Sequence, residues 1–351
     1  MSHNRIDLIW QDLATFGKIN QMQIPPKYYL TSKSIYYLTQ IEASKAIFEN
    51  AKIPEKVIEN LTRQSLLLSA LYSAKIEGNR LVLEEAENLN SLDPALKERV
   101  EIENILSAFS YIQSRKKVEI SLDFILKLHS LVMKNLSSEL GKIRREPSAI
   151  FNQSGIAIYI TPKPLLIPKL LKQLNVFINE KSDLSIPVKT FLAHLIFEKI
   201  HPFEDGNGRV GRLLVQSMLI KDNYHFNYLF SFEKLLNDRK NEYYEFLDRN
   251  DPSLFLEFML EVSFKKIEEL KKEILNKDIY TKEDILLPRR REMLNIIRDH
   301  KEISLNSLQR RFLKVPARTL RYDLKALEKD GFIVKIGSTR GALYKVRRSV
   351  F

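Results

Sequence analysis

Residues 201–212 read HPFEDGNGRVGR, which places one histidine, two acids, three glycines and two arginines in twelve positions. The residues on either side of this stretch decide the fold. Before it, PVKTFLAHLIFEKI (187–200) spaces Phe191, Leu192, Leu195, Ile196 and Ile200 as a buried helix does. Pro202 discourages that helix from continuing. After it, Arg209–Ile220 resumes a helical pattern with Leu213, Leu214 and Met218. The stretch is therefore a loop between two helices, with Gly206-Asn207-Gly208 at the N-terminus of the second.

That position has chemical consequences. Glycines at a helix start let successive backbone N–H groups converge on an anion, and the helix dipole favours negative charge there. Arg209 and Arg212, three apart, add fixed cations suited to phosphate oxygens. Asp205 offers a hard oxygen ligand for Mg²⁺. His201 offers a base that works near neutral pH. Any one of these residues alone would be an ordinary turn or core residue. Together in one loop they describe attack on a nucleotide phosphate.

Working outward, the other helical segments are 64–77, 97–113, 121–136, 165–181, 208–221, 238–249 and 253–275. Within the first, QSLLLSALYSAKIE puts Leu67, Leu68, Leu71 and Tyr72 on one face, and Gly78-Asn79 supplies a stop. The exception in the body is PSAIFNQSGIAIYITPKP (147–164), two short β-prone runs around Gln153-Ser154-Gly155 that read as a β-hairpin. The body is thus expected to be mainly α with one hairpin.

The chain of 351 residues contains no cysteine, which excludes disulfides, thiolate ligands and a cysteine nucleophile. No run approaches the roughly 18 apolar residues of a membrane helix, and MSHNRIDLIWQDL lacks the pattern of a secretory leader. These features lead us to expect a soluble cytoplasmic protein with no membrane partner. The net charge is +12, but residues 288–351 hold 17 Lys and Arg against 6 Asp and Glu. A basic tail on a nearly neutral body suggests two separate tasks.

HPFEDGNGRVGR resembles the signature of the Fic domain at every constrained position: histidine, phenylalanine, acid, glycine-asparagine-glycine, then two arginines three apart. The resemblance extends over roughly residues 60–260. It implies transfer of AMP from ATP to a Ser, Thr or Tyr hydroxyl of a protein, with pyrophosphate leaving. On that resemblance His201 is the base, Phe203 anchors the loop and Asp205 holds Mg²⁺. Gly206, Asn207 and Gly208 form the anion nest, while Arg209 and Arg212 contact the phosphates. The hairpin corresponds to a flap on which family members dock the target segment, with Ile150, Phe151, Asn152 and Gln153 as the docking strip. Tyr243 and Tyr244 match a tyrosine pair lining the adenine pocket, and Asn250 lies near a residue contacting the same base. TPKP (161–164) departs from the more usual double proline.

SAKIEGN (73–79) resembles the family's inhibitory motif, with Ser73 and Glu77 at its marked positions, about 130 residues upstream of the loop. The implied brake is an ion pair of Glu77 with Arg212 that withholds this arginine from the γ-phosphate. An anion at a helix C-terminus is unfavourable without a partner, which agrees with such a pair.

The basic tail reads as a winged helix-turn-helix: helices over 289–300, 304–312 and 316–330, then strands FIVKI and ALYKV joined by GSTRG. Its third helix turns Leu320, Leu324 and Leu327 inward and presents Arg318, Thr319, Arg321, Tyr322 and Lys325, types suited to phosphates and base edges. Arg340 in the wing is placed for a minor groove. The expected organisation is an N-terminal helical region with the inhibitory helix (1–95), a Fic catalytic core (96–280) and the winged module (286–351). Expected cofactors are ATP and Mg²⁺. Expected partners are a target protein, the chain itself by auto-modification, and DNA, with self-association into a homodimer left open. Two other activities stay open: a nucleotide-sensing DNA-binding regulator without catalysis, and removal of AMP by the same site.

Overall fold

The computed structural model describes residues 23–115, 119–151, 157–274, 282–337 and 341–347. Helix α1 (Ser32–Asn50), which the sequence reading did not anticipate, starts at Thr31, whose hydroxyl accepts from the Ser34 N–H at 3.0 Å. Helix α2 (Glu55–Ile76) begins nine residues before the expected start at 64 and ends where Gly78 adopts φ +103°. Its buried stripe also differs from the expected one. Ser65, Ser69, Ala70, Leu71, Ser73 and Ala74 are buried, while Leu67, Leu68 and Tyr72 are half-exposed. Leu66, Leu67 and Tyr72 pack against the same core from its edge.

A four-residue turn of helix, α3 (Leu83–Ala86), leads to α4 (Lys97–Gln113) and α5 (Leu122–Val132), the last capped by Ser121. Strands β1 (Ala149–Phe151) and β2 (Ala157–Ile160) pair antiparallel, Ala149 opposite Ile160. Then come α6 (Ile167–Asn179), α7 (Ile186–Ile200) and α8 (Asn207–Lys221). A short helix that the sequence does not signal, α9 (Phe232–Asp238), precedes α10 (Lys240–Asp248), which matches the helix expected over 238–249. Helix α11 (Pro252–Ile274) closes the body.

Helix α7 is buried on nearly every side and packs against α6, α8 and α11, which makes it the central post of the body. One apolar cluster runs from Ile41 to Ile274, so the helix carrying SAKIE shares a core with the loop it faces.

A second, separate cluster lies under α12 (Pro288–His300), β3 (Ile303–Ser304), α13 (Leu305–Arg311), α14 (Ala317–Lys329), β4 (Ile333–Ile336) and β5 (Leu343–Val346). Ser304 caps α13 as expected, accepting from the Ser307 N–H, and Leu320, Leu324 and Leu327 point inward. The antiparallel sheet has three strands in the order β3-β5-β4. Strand β3 is too short to leave a pattern in the sequence. Arg340 lies outside the described residues. The basic module meets the body through Arg289–Glu87 and Lys314–Glu85, both at 3.1 Å. Among the described residues, no helix is long and apolar enough to cross a membrane.

Candidate active site at the junction of α7 and α8

His201 is the C-cap of α7 and sits in the left-handed region, φ 49° and ψ 61°. Its N–H closes the helix on the Phe197 carbonyl at 3.0 Å. The Nδ1 atom lies 3.3 Å from the Glu198 carbonyl. A carbonyl only accepts, so Nδ1 carries the proton and the unprotonated nitrogen is Nε2. Burial pushes the imidazole below its usual range. The Arg144 cation acts in the same sense, while the Glu198 carbonyl, Glu77 and Asp205 oppose it.

The loop after His201 is held from three directions. Phe203 is fully buried, its ring stacked on His129 with centroids 3.8 Å apart. His129 accepts from the Gly141 N–H through Nδ1 at 2.9 Å, so its Nε2–H donates to the Asp205 carbonyl at 3.1 Å. Asn207 spends its whole amide on one residue, accepting from the Phe203 N–H and donating to the Phe203 carbonyl. Gly206, the N-cap of α8, has φ +82°, and a Cβ there would meet Met133 Sδ at 2.8 Å.

The two arginines take different partners. Arg209, nearly fully buried, donates through Nη2 to Asp205 Oδ1 at 2.9 Å and lies 3.8 Å from Glu101. Its Nε and Nη1 have no hydrogen-bond partner. Burial pushes the Asp205 carboxyl up, but Arg209 and the Gly206 N–H outweigh it, and the net direction is down. Asp205 is therefore ionised, and its side chain is 65% exposed. Arg212 donates through Nη2 to Glu77 Oε1 at 2.8 Å and to the Ser73 carbonyl at 2.9 Å, and through Nε to Ser73 Oγ at 2.9 Å. A Cβ on Gly208 would overlap Glu77 Oε1 and sit 2.9 Å from Arg212 Nη1, so only glycine leaves room for this pair.

Beneath Arg212 lies a buried group that the sequence reading missed. Glu198 Oε1 and His194 Nδ1 approach to 3.8 Å, yet the pair is not a salt bridge. Burial pushes Glu198 up to about 8 and His194 down to about 3, so both are neutral at pH 7. Their only trace in the sequence is a charge and a histidine inside the apolar run FLAHLIFEKI. Arg144, also missed, has no marker of spacing at all.

The adenine candidates separate. Tyr243 is buried, its hydroxyl 2.8 Å from His194 Nε2. Tyr244 is half-buried, its hydroxyl 3.5 Å from the Ile76 carbonyl beside Glu77. Asn250 is exposed beyond the end of α10. Ile150 and Phe151 lie in β1, opposite Tyr159 and Ala157, whereas Asn152 and Gln153 lie outside the described residues. No group of three or more His, Asp or Glu side chains that could hold a metal occurs among the described residues.

His201 with an unprotonated Nε2, two buried guanidinium groups and a helix N-terminus thus meet at the junction of α7 and α8. Residues 119–219 match the model of the Fic/DOC family. The chain is 25% identical over 244 residues to the protein adenylyltransferase Fic of Drosophila willistoni, covering 66% of this chain and 47% of that one. Against the protein of the same name from Drosophila yakuba it is 29% identical over 210 residues, covering 56% and 40%. The chain thus spans about half the length of the curated relatives it matches, or less. A Fic family protein from Desulfovibrio desulfuricans has the same fold, with a TM-score of 0.62 at 22% identity, covering 93% of this chain and 99% of that one.

Proposed function

We propose that this chain transfers AMP from ATP to a hydroxyl side chain of a protein, and that Glu77 restrains the reaction. The observation that carries the reading is the state of His201. Its Nδ1–H is committed to the Glu198 carbonyl, so Nε2 is the atom that accepts the target's proton. The hydroxyl oxygen forms its bond to the α-phosphorus as the bond to the β-phosphate oxygen breaks, and pyrophosphate leaves. The start of α8 and the unsatisfied donors of Arg209 supply charge neutralisation, and the loop clamps supply positioning. Asp205, ionised and exposed, would hold Mg²⁺, and the ion would supply neutralisation of phosphate charge.

In the same reading the β1–β2 ladder is the flap that receives the target segment as an added strand, and the chain itself is one such target. Residues 286–351 are a winged helix-turn-helix that binds DNA through Arg318, Arg321, Tyr322 and Lys325, all exposed on α14. ATP labelled at the α-phosphate tests the proposal. Label should join protein from this ATP but not from ATP labelled at the γ-phosphate, and His201→Ala should abolish it while ATP still binds. ATP binding with no transfer from a Glu77→Gly chain would leave the nucleotide-sensing regulator instead.

A further inference from the structure

Arg144 lies between β1 and the catalytic loop and is 3% exposed. A buried guanidinium ordinarily has a carboxylate beside it, but this one makes no ion pair among the described residues. All of its acceptors are neutral. Nε donates to the His201 carbonyl at 2.8 Å, Nη1 to the Glu146 carbonyl at 2.7 Å, and Nη2 to Thr161 Oγ1 at 2.8 Å and the Pro162 carbonyl at 2.6 Å. Its own N–H donates to the Pro202 carbonyl at 2.9 Å. The planar fork therefore joins three pieces of chain: the cap of α7 that bears His201, the segment entering β1, and the segment leaving β2. Thr161 extends the tie by donating to the Ser148 carbonyl at 2.6 Å.

We propose that Arg144 is the positioning residue of the catalytic histidine: it holds the His201 carbonyl in its left-handed cap and registers that residue against the end of the β1–β2 ladder where the chain enters β1 and leaves β2. The inference rests on the adenylyl-transfer reading above. A non-glycine residue at positive φ is strained and persists only where its surroundings over-determine it. Here a helix-closing N–H and a charged donor on the carbonyl do so. The charge has a second consequence. Arg144 opposes protonation of His201, as burial does, against Glu77, Asp205 and the Glu198 carbonyl. A lysine reaches fewer of these acceptors but keeps the charge, whereas glutamine removes it.

Those two substitutions in the whole 351-residue chain separate the effects. One readout is the NMR titration of the His201 ring, assigned among the six histidines by its loss in His201→Gln. The other is the pH profile of AMP transfer, compared within a Glu77→Gly background. Arg144→Gln should move the His201 midpoint to higher pH and carry the acid limb of kcat/KM with it. Arg144→Lys should leave the midpoint in place while kcat falls roughly tenfold to a hundredfold, with KM for ATP unchanged. A His201 midpoint unmoved in Arg144→Gln, or wild-type kcat in Arg144→Lys, overturns the proposal. If Arg144→Gln does not fold, the kcat of Arg144→Lys decides. If the Glu77→Gly chain transfers no AMP, the reaction reading falls, and the titration still decides whether Arg144 governs His201.

Discussion

Glu77 Oε1 lies 2.8 Å from Nη2 of Arg212, joining two residues 135 positions apart. The arginine has almost no exposed surface, whereas the carboxylate keeps 29% of its own. Glu77 ends its helix, where the dipole disfavours an anion, and the guanidinium compensates. The pair is therefore held at one end only. Its arginine is fixed by Ser73 and the core, and its acid is free to leave.

Removing the acid should release the site. Glu77→Gly is expected to raise incorporation of label from α-labelled ATP by roughly tenfold to several hundredfold, the range of a partly buried ion pair expressed as a rate. Ser73→Ala should raise it by less, about fivefold, since it deletes one neutral acceptor of the Arg212 Nε. The gain should vanish in Glu77→Gly/Arg212→Ala. A Glu77→Gly chain that stays folded and transfers no faster would sink the brake.

Gly208→Ala should behave differently from Glu77→Gly, although both break the same pair. The added methyl falls where Glu77 Oε1 now sits, at the start of α8, in the space the proposed phosphates need. Transfer is expected to stay low in Gly208→Ala and in the double variant with Glu77→Gly, with ATP binding weakened in a calorimetric titration. Activity equal to that of Glu77→Gly would show that the loop does not hold the phosphates.

The loop was legible because its residue types are tied to backbone demands: proline after a helix, glycine at positive φ, arginines on the next turn. Ser304 as a cap and the inward leucines of α14 were legible for the same local reasons. The buried face of α2 was not, because it carries serines with distant polar partners, Ser69 on Glu233 and Ser73 on Arg212, which apolar periodicity does not mark. The hydrogen bond of the Tyr243 hydroxyl with His194 was not legible, because the two residues lie 49 positions apart. Arg144 was illegible because its acceptors are mostly backbone carbonyls distant in the chain.

Two pH effects follow from burial. The base must be unprotonated to act, and His201 is held below the ordinary value of 6.5, so the acid limb of kcat/KM should lie below that value. Stability should respond to Glu198 as well. Its folded value of about 8 exceeds the ordinary 4.5, so the stability it lends is complete below about 4.5 and is lost as pH rises through 8. His194 acts at the other end: held at about 3 against an ordinary 6.5, it lends stability above 6.5 that is lost as pH falls toward 3. Urea midpoints across pH 5–9 should fall less steeply on the alkaline side for Glu198→Gln than for wild type. Parallel curves would mean that Glu198 is ionised in the fold.

The basic module gives the last test, because its helix α14 carries proposed DNA contacts both on its open face and at the cleft against the body. Arg318, Arg321 and Lys325 are exposed on α14. Thr319 and Tyr322 line a cleft of about 670 Å³ against the body, whose other wall includes Glu87 and Asn88. Asp323, buried at the cleft, is bound by both Arg289 and Arg290, so the start of α12 and the middle of α14 move as one piece. A duplex that also reached Thr319 in the cleft would require the module to leave the body, at the cost of Arg289–Glu87 and Lys314–Glu85. These are exposed or half-buried pairs, each worth at most about 1 kcal/mol. Glu85→Gln/Glu87→Gln should therefore tighten binding of the whole chain to a labelled duplex, by several-fold at low salt. Each of Arg318→Ala, Arg321→Ala and Lys325→Ala should weaken it and flatten the plot of log affinity against log salt by about 0.9 for each phosphate that the deleted cation neutralised. Binding that ignored all five substitutions would take DNA away from α14 and leave the module as a protein-docking piece.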